Sequence, residues 1–183
     1  MISIIILAVV VVLALWFVGI FNMLVRSRNR VRESWSDIDV QLKRRYDLIP
    51  NLIETVKGYA AHEKEVLERV VQARSEAMGA HTIGEHAQAE NMLTGALKSL
   101  FALAEAYPQL RAVESFAKLQ DELSDTENKI QAARRFYNTN VMTLNTQVEQ
   151  FPTNMVANMF SFKKEEFFQL EAAAEREPVK VNF

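Results

Sequence analysis

The first 25 residues, MISIIILAVVVVLALWFVGIFNMLV, contain no charged side chain. At helical rise such a run reaches roughly 37 Å, which exceeds the roughly 30 Å hydrocarbon core of a bilayer. A cleaved signal peptide would carry a basic stretch before a shorter apolar core, and a small-residue cleavage site after it. Here only Met1 precedes Ile2, and arginines follow the apolar run. A retained transmembrane helix over residues 1–25 is therefore expected.

Its flank sets the expected orientation. Arg26, Arg28, Arg30 and Arg32 follow the span, with Glu33 alone against them. Arginine-rich flanks stay on the cytoplasmic side, so the expectation is a single-pass protein with its N-terminus outside and its C-terminal domain in the cytoplasm. Residues 26–45 hold seven basic side chains against three acidic ones, while residues 46–183 hold 14 against 20. The basic end lies where anionic headgroups attract each such charge by about 1 kcal/mol. A plain stop-transfer flank accounts for the same four arginines.

Beyond the span the apolar period is helical, not alternating. Val31, Trp35, Ile38 and Leu42 predict a helix over about 27–45, continuous in pattern with the membrane segment. Asp47 and Pro50 predict a break there, because proline is tolerated in a first turn and not inside a helix. A second helix is expected from about 48, with Leu52, Val56, Leu67, Val70 and Ala77 on one face. Gly79 to Gly84 reads as a loop. A third helix is expected over about 85–106, with Leu93, Leu97, Leu100 and Ala104 in line, ending at Tyr107-Pro108. From about 111 to 149 there is no Gly or Pro, and Phe116, Leu119, Leu123, Thr126, Ile130, Ala133, Tyr137, Val141, Leu144 and Val148 keep three-four spacing. That is the pattern of a bundle or coiled-coil seam. A short helix is expected over Met155–Phe160, and Lys163 to Leu170 reads as amphipathic. The expected fold is all-α: an N-terminal transmembrane helix (1–25), an antiparallel bundle of about four long helices (26–150), and a short helix with a tail (151–183).

Composition narrows the function. A formal net charge of −2 gives no basic field of the kind nucleic-acid binders use. The absence of cysteine removes disulfides, thiolate metal sites, cysteine nucleophiles and acylation. His62, His81 and His86 stand in no metalloprotease or di-iron spacing. Asp121, Glu122 and Asp125, with Lys129 one turn on, read as a solvated face. No phosphate loop or nucleophile elbow occurs. No cofactor, no metal and no catalysis are expected.

Several long stretches identify a family. They are Arg28-Asn29, Trp35, the run Asp37 to Arg45, Asp47 to Leu52, and Lys57-Gly58-Tyr59-Ala60 with His62-Glu63. Further on come Glu105 to Pro108, Leu119-Gln120, Glu122-Leu123, Thr126-Glu127-Asn128, Ala133 to Asn138, Phe151-Pro152, Phe160, Phe162 and the terminal Pro178 to Phe183. Together they resemble the LemA family over nearly the whole chain. Ser34 departs from it, where the family more often has Ala. The resemblance implies a bacterial protein of the cytoplasmic (inner) membrane, with an N-terminal anchor and a bundle of long helices. It implies no reaction and supplies no catalytic residues.

Polar residues beside the apolar seams are the remaining candidates. Asp37, Asp39, Arg44, Arg45 and Asn51 crowd one region, and Arg134, Arg135 and Asn138 offer complementary groups. Buried polar groups need partners, so these residues are expected either in an internal network or in an interface between subunits. Aromatic side chains in the tail rarely stand in water. Phe160 and Phe162 are expected to fold back onto the bundle, and Phe183 to dock on a neighbouring copy. Two roles fit: a membrane-anchored helical scaffold that self-associates on an anionic bilayer surface as a homo-oligomer, or an adaptor that presents a helical or tail surface to another membrane protein, such as a protease or signalling partner.

Overall fold

The structure is a computed structural model that describes residues 1–169. The described residues form six helices and no strand: α1 (Ile2–Lys57), α2 (Lys64–Met78), α3 (Ile83–Glu105), α4 (Pro108–Arg111), α5 (Glu114–Glu149) and α6 (Thr153–Met159). The chain is an all-α helical bundle with a long apolar N-terminal helix, as its periodicity predicts.

Two compact units divide it. The first comprises Met1–Val40 and Ile130–Phe167. The expected membrane helix and first soluble helix are one uninterrupted element here, because nothing from Ile2 to Val40 breaks a helix. Its apolar first part is exposed: Ile2, Leu7, Val12 and Leu15 are all more than half accessible. Burial begins at Ile20 and Leu24 and continues at Val31, Ile38, Tyr137, Val141 and Leu144. Small hydroxyls are absorbed into this core. Ser34 is fully buried and donates to the Val31 carbonyl at 2.9 Å. A residue scarcely larger than alanine whose hydroxyl is satisfied within its own helix accounts for the tolerated departure at this position.

The second unit includes Gln41–Lys129. Two boundaries here differ from the expectation. The helix does not stop at Asp47–Pro50 but runs through Pro50 to Lys57. A proline inside a helix withholds its N–H from the carbonyl four residues back. That carbonyl belongs to Tyr46, and it accepts a hydrogen bond from Arg74 Nε of α2 at 2.7 Å. The expected single helix from 48 to 78 is instead broken at 58–63, beginning at Gly58. This corner is fixed by buried Ala60 and by the Tyr107 hydroxyl, which donates to Glu63 Oε1 at 3.1 Å. That bond to Glu63, with burial, holds the Tyr107 phenol above its ordinary pKa.

α2 and α3 pack against each other across the turn 79–82. The start of α3 is a capping box: Glu85 N–H donates to the Thr82 hydroxyl, and Glu85 Oε2 accepts from Thr82 N–H at 3.0 Å and His81 N–H at 2.8 Å. These backbone donors hold the Glu85 carboxyl below the usual carboxylate range. Leu52, Val70, Leu93, Leu100 and Phe116 fill the core of this unit.

Candidate functional site

Three arrangements carry the polar and aromatic residues singled out above. The first lies at the end of the apolar span, in the first unit. Arg26, Arg30 and Arg32 are exposed, whereas the Arg28 guanidinium sits over the ring of Phe162, 5.1 Å from its centroid. Phe162 is buried with Ile20, Leu24, Val156 and Ala157 in one apolar cluster. Phe160 packs its ring 4.7 Å from that of Phe21 and 6.0 Å from that of Phe17, and remains about half exposed. Phe160 and Phe162 thus both lie against α1. Ser161 between them takes a left-handed backbone (φ 55°), which turns the chain after α6. Phe183 lies outside the described residues.

Over residues 163–169 the stretch that reads as amphipathic forms no helix, and side chains of α5 bond to its backbone. Asn145 makes a reciprocal pair with Glu165: its Nδ2 donates to the Glu165 carbonyl at 3.0 Å and its Oδ1 accepts from Glu165 N–H at 2.9 Å. The Tyr137 hydroxyl donates to the Glu166 carbonyl at 2.9 Å, and Lys164 pairs with Glu149 at 2.7 Å. The strap therefore runs back along α5. Burial, with Glu165 and Glu166 nearby, pushes the Tyr137 phenol up to about 12, so it stays a donor. Its ring meets Trp35 edge-on at 5.5 Å.

The second arrangement is a buried polar cluster in the second unit. Arg45, only 4% exposed, reaches Glu90 at 3.0 Å, Glu127 at 3.1 Å and the Thr94 hydroxyl at 2.8 Å. Glu90 is equally buried and also accepts from the Tyr46 hydroxyl. Burial pushes the Glu90 carboxyl above the usual carboxylate range; the Arg45 charge and the Tyr46 hydroxyl offset part of this. Of the residues that sequence placed in a network or interface, Arg45 sits in this cluster. Asp37, Asp39, Arg44, Asn51 and Arg135 are exposed, and Arg134 and Asn138 are half-buried on α5.

Glu90, Tyr46, Thr94 and Glu127 are not among the polar candidates read from sequence. Glu90 had a signal: it continues the stripe Leu100, Leu97, Leu93 one turn back, so an acid stands on an apolar face. Asn145 and its strap had none, since a polar residue beside a seam does not name a partner 20 residues on.

The third arrangement is the outward face of α5. Upstream it carries Asp121, Asp125 and Lys129. From Ala132 onward, Phe136, Thr139, Met142, Thr143 and Thr146 are all exposed and uncharged, and the exposed Arg135 shares their face, one turn before Thr139 and two before Met142. Phe136 and Met142 are each more than half accessible. The three threonine hydroxyls donate to carbonyls one turn back, at 2.8–2.9 Å, so they demand no water.

Comparison with known proteins adds the following. Residues 34–183 match the model of the LemA family, which leaves the apolar span outside the match. The chain is 29% identical over 171 residues to Protein LemA of Metamycoplasma hominis, covering 91% of this chain and 75% of that one. It is 24% identical over 181 residues to Magnetosome protein MamQ 2 of Paramagnetospirillum magneticum, and 22% identical to Magnetosome protein MamQ of Magnetospirillum gryphiswaldense. In both cases it covers 85% of this chain and 66% of the relative, so it spans just under two thirds of the magnetosome proteins' length.

Proposed function

The chain belongs to the LemA family, and from that premise we propose that it is a non-catalytic helical scaffold, anchored in a membrane by α1, that self-associates at the bilayer surface. The observation that carries this is the exposed face of α5 around Phe136 and Met142, on which Arg135 is the charged side chain. Among the described residues, Phe136 and Met142 are large apolar side chains left more than half exposed, and such faces mark interaction sites. Seated on a second copy, this face would bury two flexible or aromatic anchors beside hydroxyls already satisfied, at no cost in unpaired polar groups. We place the C-terminal domain in the cytoplasm, on the strength of Arg26, Arg28, Arg30 and Arg32, with anionic headgroups as their partners. Phe183 is proposed to add a tail contact to a neighbouring copy.

The test is the particle mass of the full chain after gentle detergent extraction. A discrete multi-protomer mass that falls to one protomer in Phe136→Glu/Met142→Glu supports the scaffold. A one-protomer mass for the unaltered chain sinks self-association and directs the search to another membrane protein as partner, the adaptor reading. Deletion of 178–183 separates the tail's share. Strong activity of a periplasm-dependent phosphatase fused at the C-terminus would overturn the orientation.

A further inference from the structure

We propose that α6 and its flanks form a second contact with the bilayer, in which Met155, Met159, Phe151 and Phe160 lie in the membrane interface beside the α1 span. The inference rests on the reading of α1 as a membrane anchor. α6 is two-sided. Val156 and Ala157 face α1 in the cluster with Ile20, Leu24 and Phe162. On the opposite side Phe151 is 73% exposed, Met155 62% and Met159 69%. Met155 and Met159, four residues apart, share one face of α6 as an apolar ridge, and Phe151 adds an exposed ring in the turn before it.

Depth decides what covers the ridge. Phe160, the residue that follows α6, packs on Phe17 and Phe21 of α1. Phe21 precedes Arg26, the first charged side chain after the span, by about 7 Å of helix. Phe160 is thereby held on the apolar side of the first charge, about as deep as interfacial helices seat their apolar faces. A ridge of Phe and Met fixed at that level is continuous with the apolar surface of the span. Of the bordering charges, Arg26, Arg30 and Lys163 are basic and exposed, and Lys164 is paired with the exposed Glu149 at 2.7 Å; the basic excess favours an anionic interface over a protein partner. A single span leaves a domain free to swivel about its helix axis. A second contact off that axis would fix which face meets the membrane and which faces outward.

The chain contains no cysteine, so single nitroxide labels can be placed cleanly at Met155→Cys and Met159→Cys in the full chain, reconstituted in vesicles containing anionic lipid. Ser124→Cys reports water and Val9→Cys reports the span. Collisions with oxygen, which concentrates in the bilayer, and with a polar nickel chelate, which is excluded from it, are measured at each site. The expected result is higher oxygen and lower nickel accessibility at 155 and 159 than at 124. Nickel accessibility at 155 and 159 equal to that at 124, with label 9 shielded from nickel, overturns the proposal and leaves the anchor standing. Shielding from both reagents at 155 and 159 also overturns it, because protein then covers the ridge. Nickel access at label 9 would bring down the anchor reading, and this proposal with it.

Discussion

Arg74 Nε donates to the main-chain carbonyl of Tyr46 at 2.7 Å, the acceptor that Pro50 leaves without its helical partner. A side chain from α2 thus completes the hydrogen bonding of α1, and this is why the helix passes through its proline. The two residues are then coupled. Arg74→Met leaves a carbonyl unsatisfied and costs about 1–3 kcal/mol. Pro50→Ala restores a backbone donor and makes the arginine dispensable. Urea unfolding of the four proteins of this cycle is expected to show a smaller Arg74→Met penalty in the alanine background. Equal penalties would mean that Arg74 acts only through packing of its stem.

Arg45 and Glu90 form a pair that is costly to break and cheap to remove together. Arg45→Met strands the buried Glu90 carboxyl, with an expected loss of about 3–5 kcal/mol. Arg45→Met/Glu90→Leu is expected to regain most of it, since Glu127 is 29% exposed and can turn to water. Arg45→Lys is expected to fall between, because a lysine cannot fork to Glu90, Glu127 and Thr94 at once. Thermal unfolding midpoints rank the three.

Glu90 also gives the cluster a pH dependence of definite sign. Its carboxyl is raised in the folded chain, by burial first, above an unfolded value of roughly 4.3. Between those two values the folded state binds more protons than the unfolded state, so this group's contribution is full below the unfolded value and is lost as pH rises through the folded one. Gln at 90 does not titrate. The stability advantage of the unaltered chain over Glu90→Gln should therefore shrink from about pH 4 upward and then level off. An advantage that grows with pH would show that the Arg45 charge outweighs burial.

The long elements were legible because a three-four period with no Gly or Pro leaves little choice of secondary structure, as from Glu114 to Glu149. The break expected at Pro50 failed for a reason local sequence does not contain: the compensating donor, Arg74, comes from another helix. The corner at 58–63 was hidden by the apolar stripe, which continues through Ala60 into Leu67. For the polar candidates, expected either in an internal network or in an interface between subunits, crowding in sequence does not say which of them the chain itself buries. Asp37, Asp39, Arg44 and Asn51 sit between the core positions Ile38, Leu42, Ile49 and Leu52 and point to solvent, and only Arg45 of that run falls on the buried face. The helical period, applied to charged residues as it was to apolar ones, would have separated them.

Asn145 clasps the strap at Glu165 through both of its amide atoms, an arrangement only a side chain with one donor and one acceptor can make. Asn145→Asp keeps the shape, removes the donor and sets a negative charge against the Glu165 carbonyl. Asn145→Ala removes both bonds, at about 1 kcal/mol each, which corresponds to roughly 30-fold more frequent opening of the segment. Hydrogen exchange of the Glu165 amide should accelerate by about that factor in Asn145→Ala. It should accelerate less in Asn145→Asp, whose carboxylate still accepts from that amide. Exchange across Leu93 to Leu100 should be unchanged in both. If Glu165 exchange is unaltered, the Tyr137–Glu166 bond and the Lys164–Glu149 pair hold the strap without Asn145, and Tyr137→Phe becomes the next variant to measure.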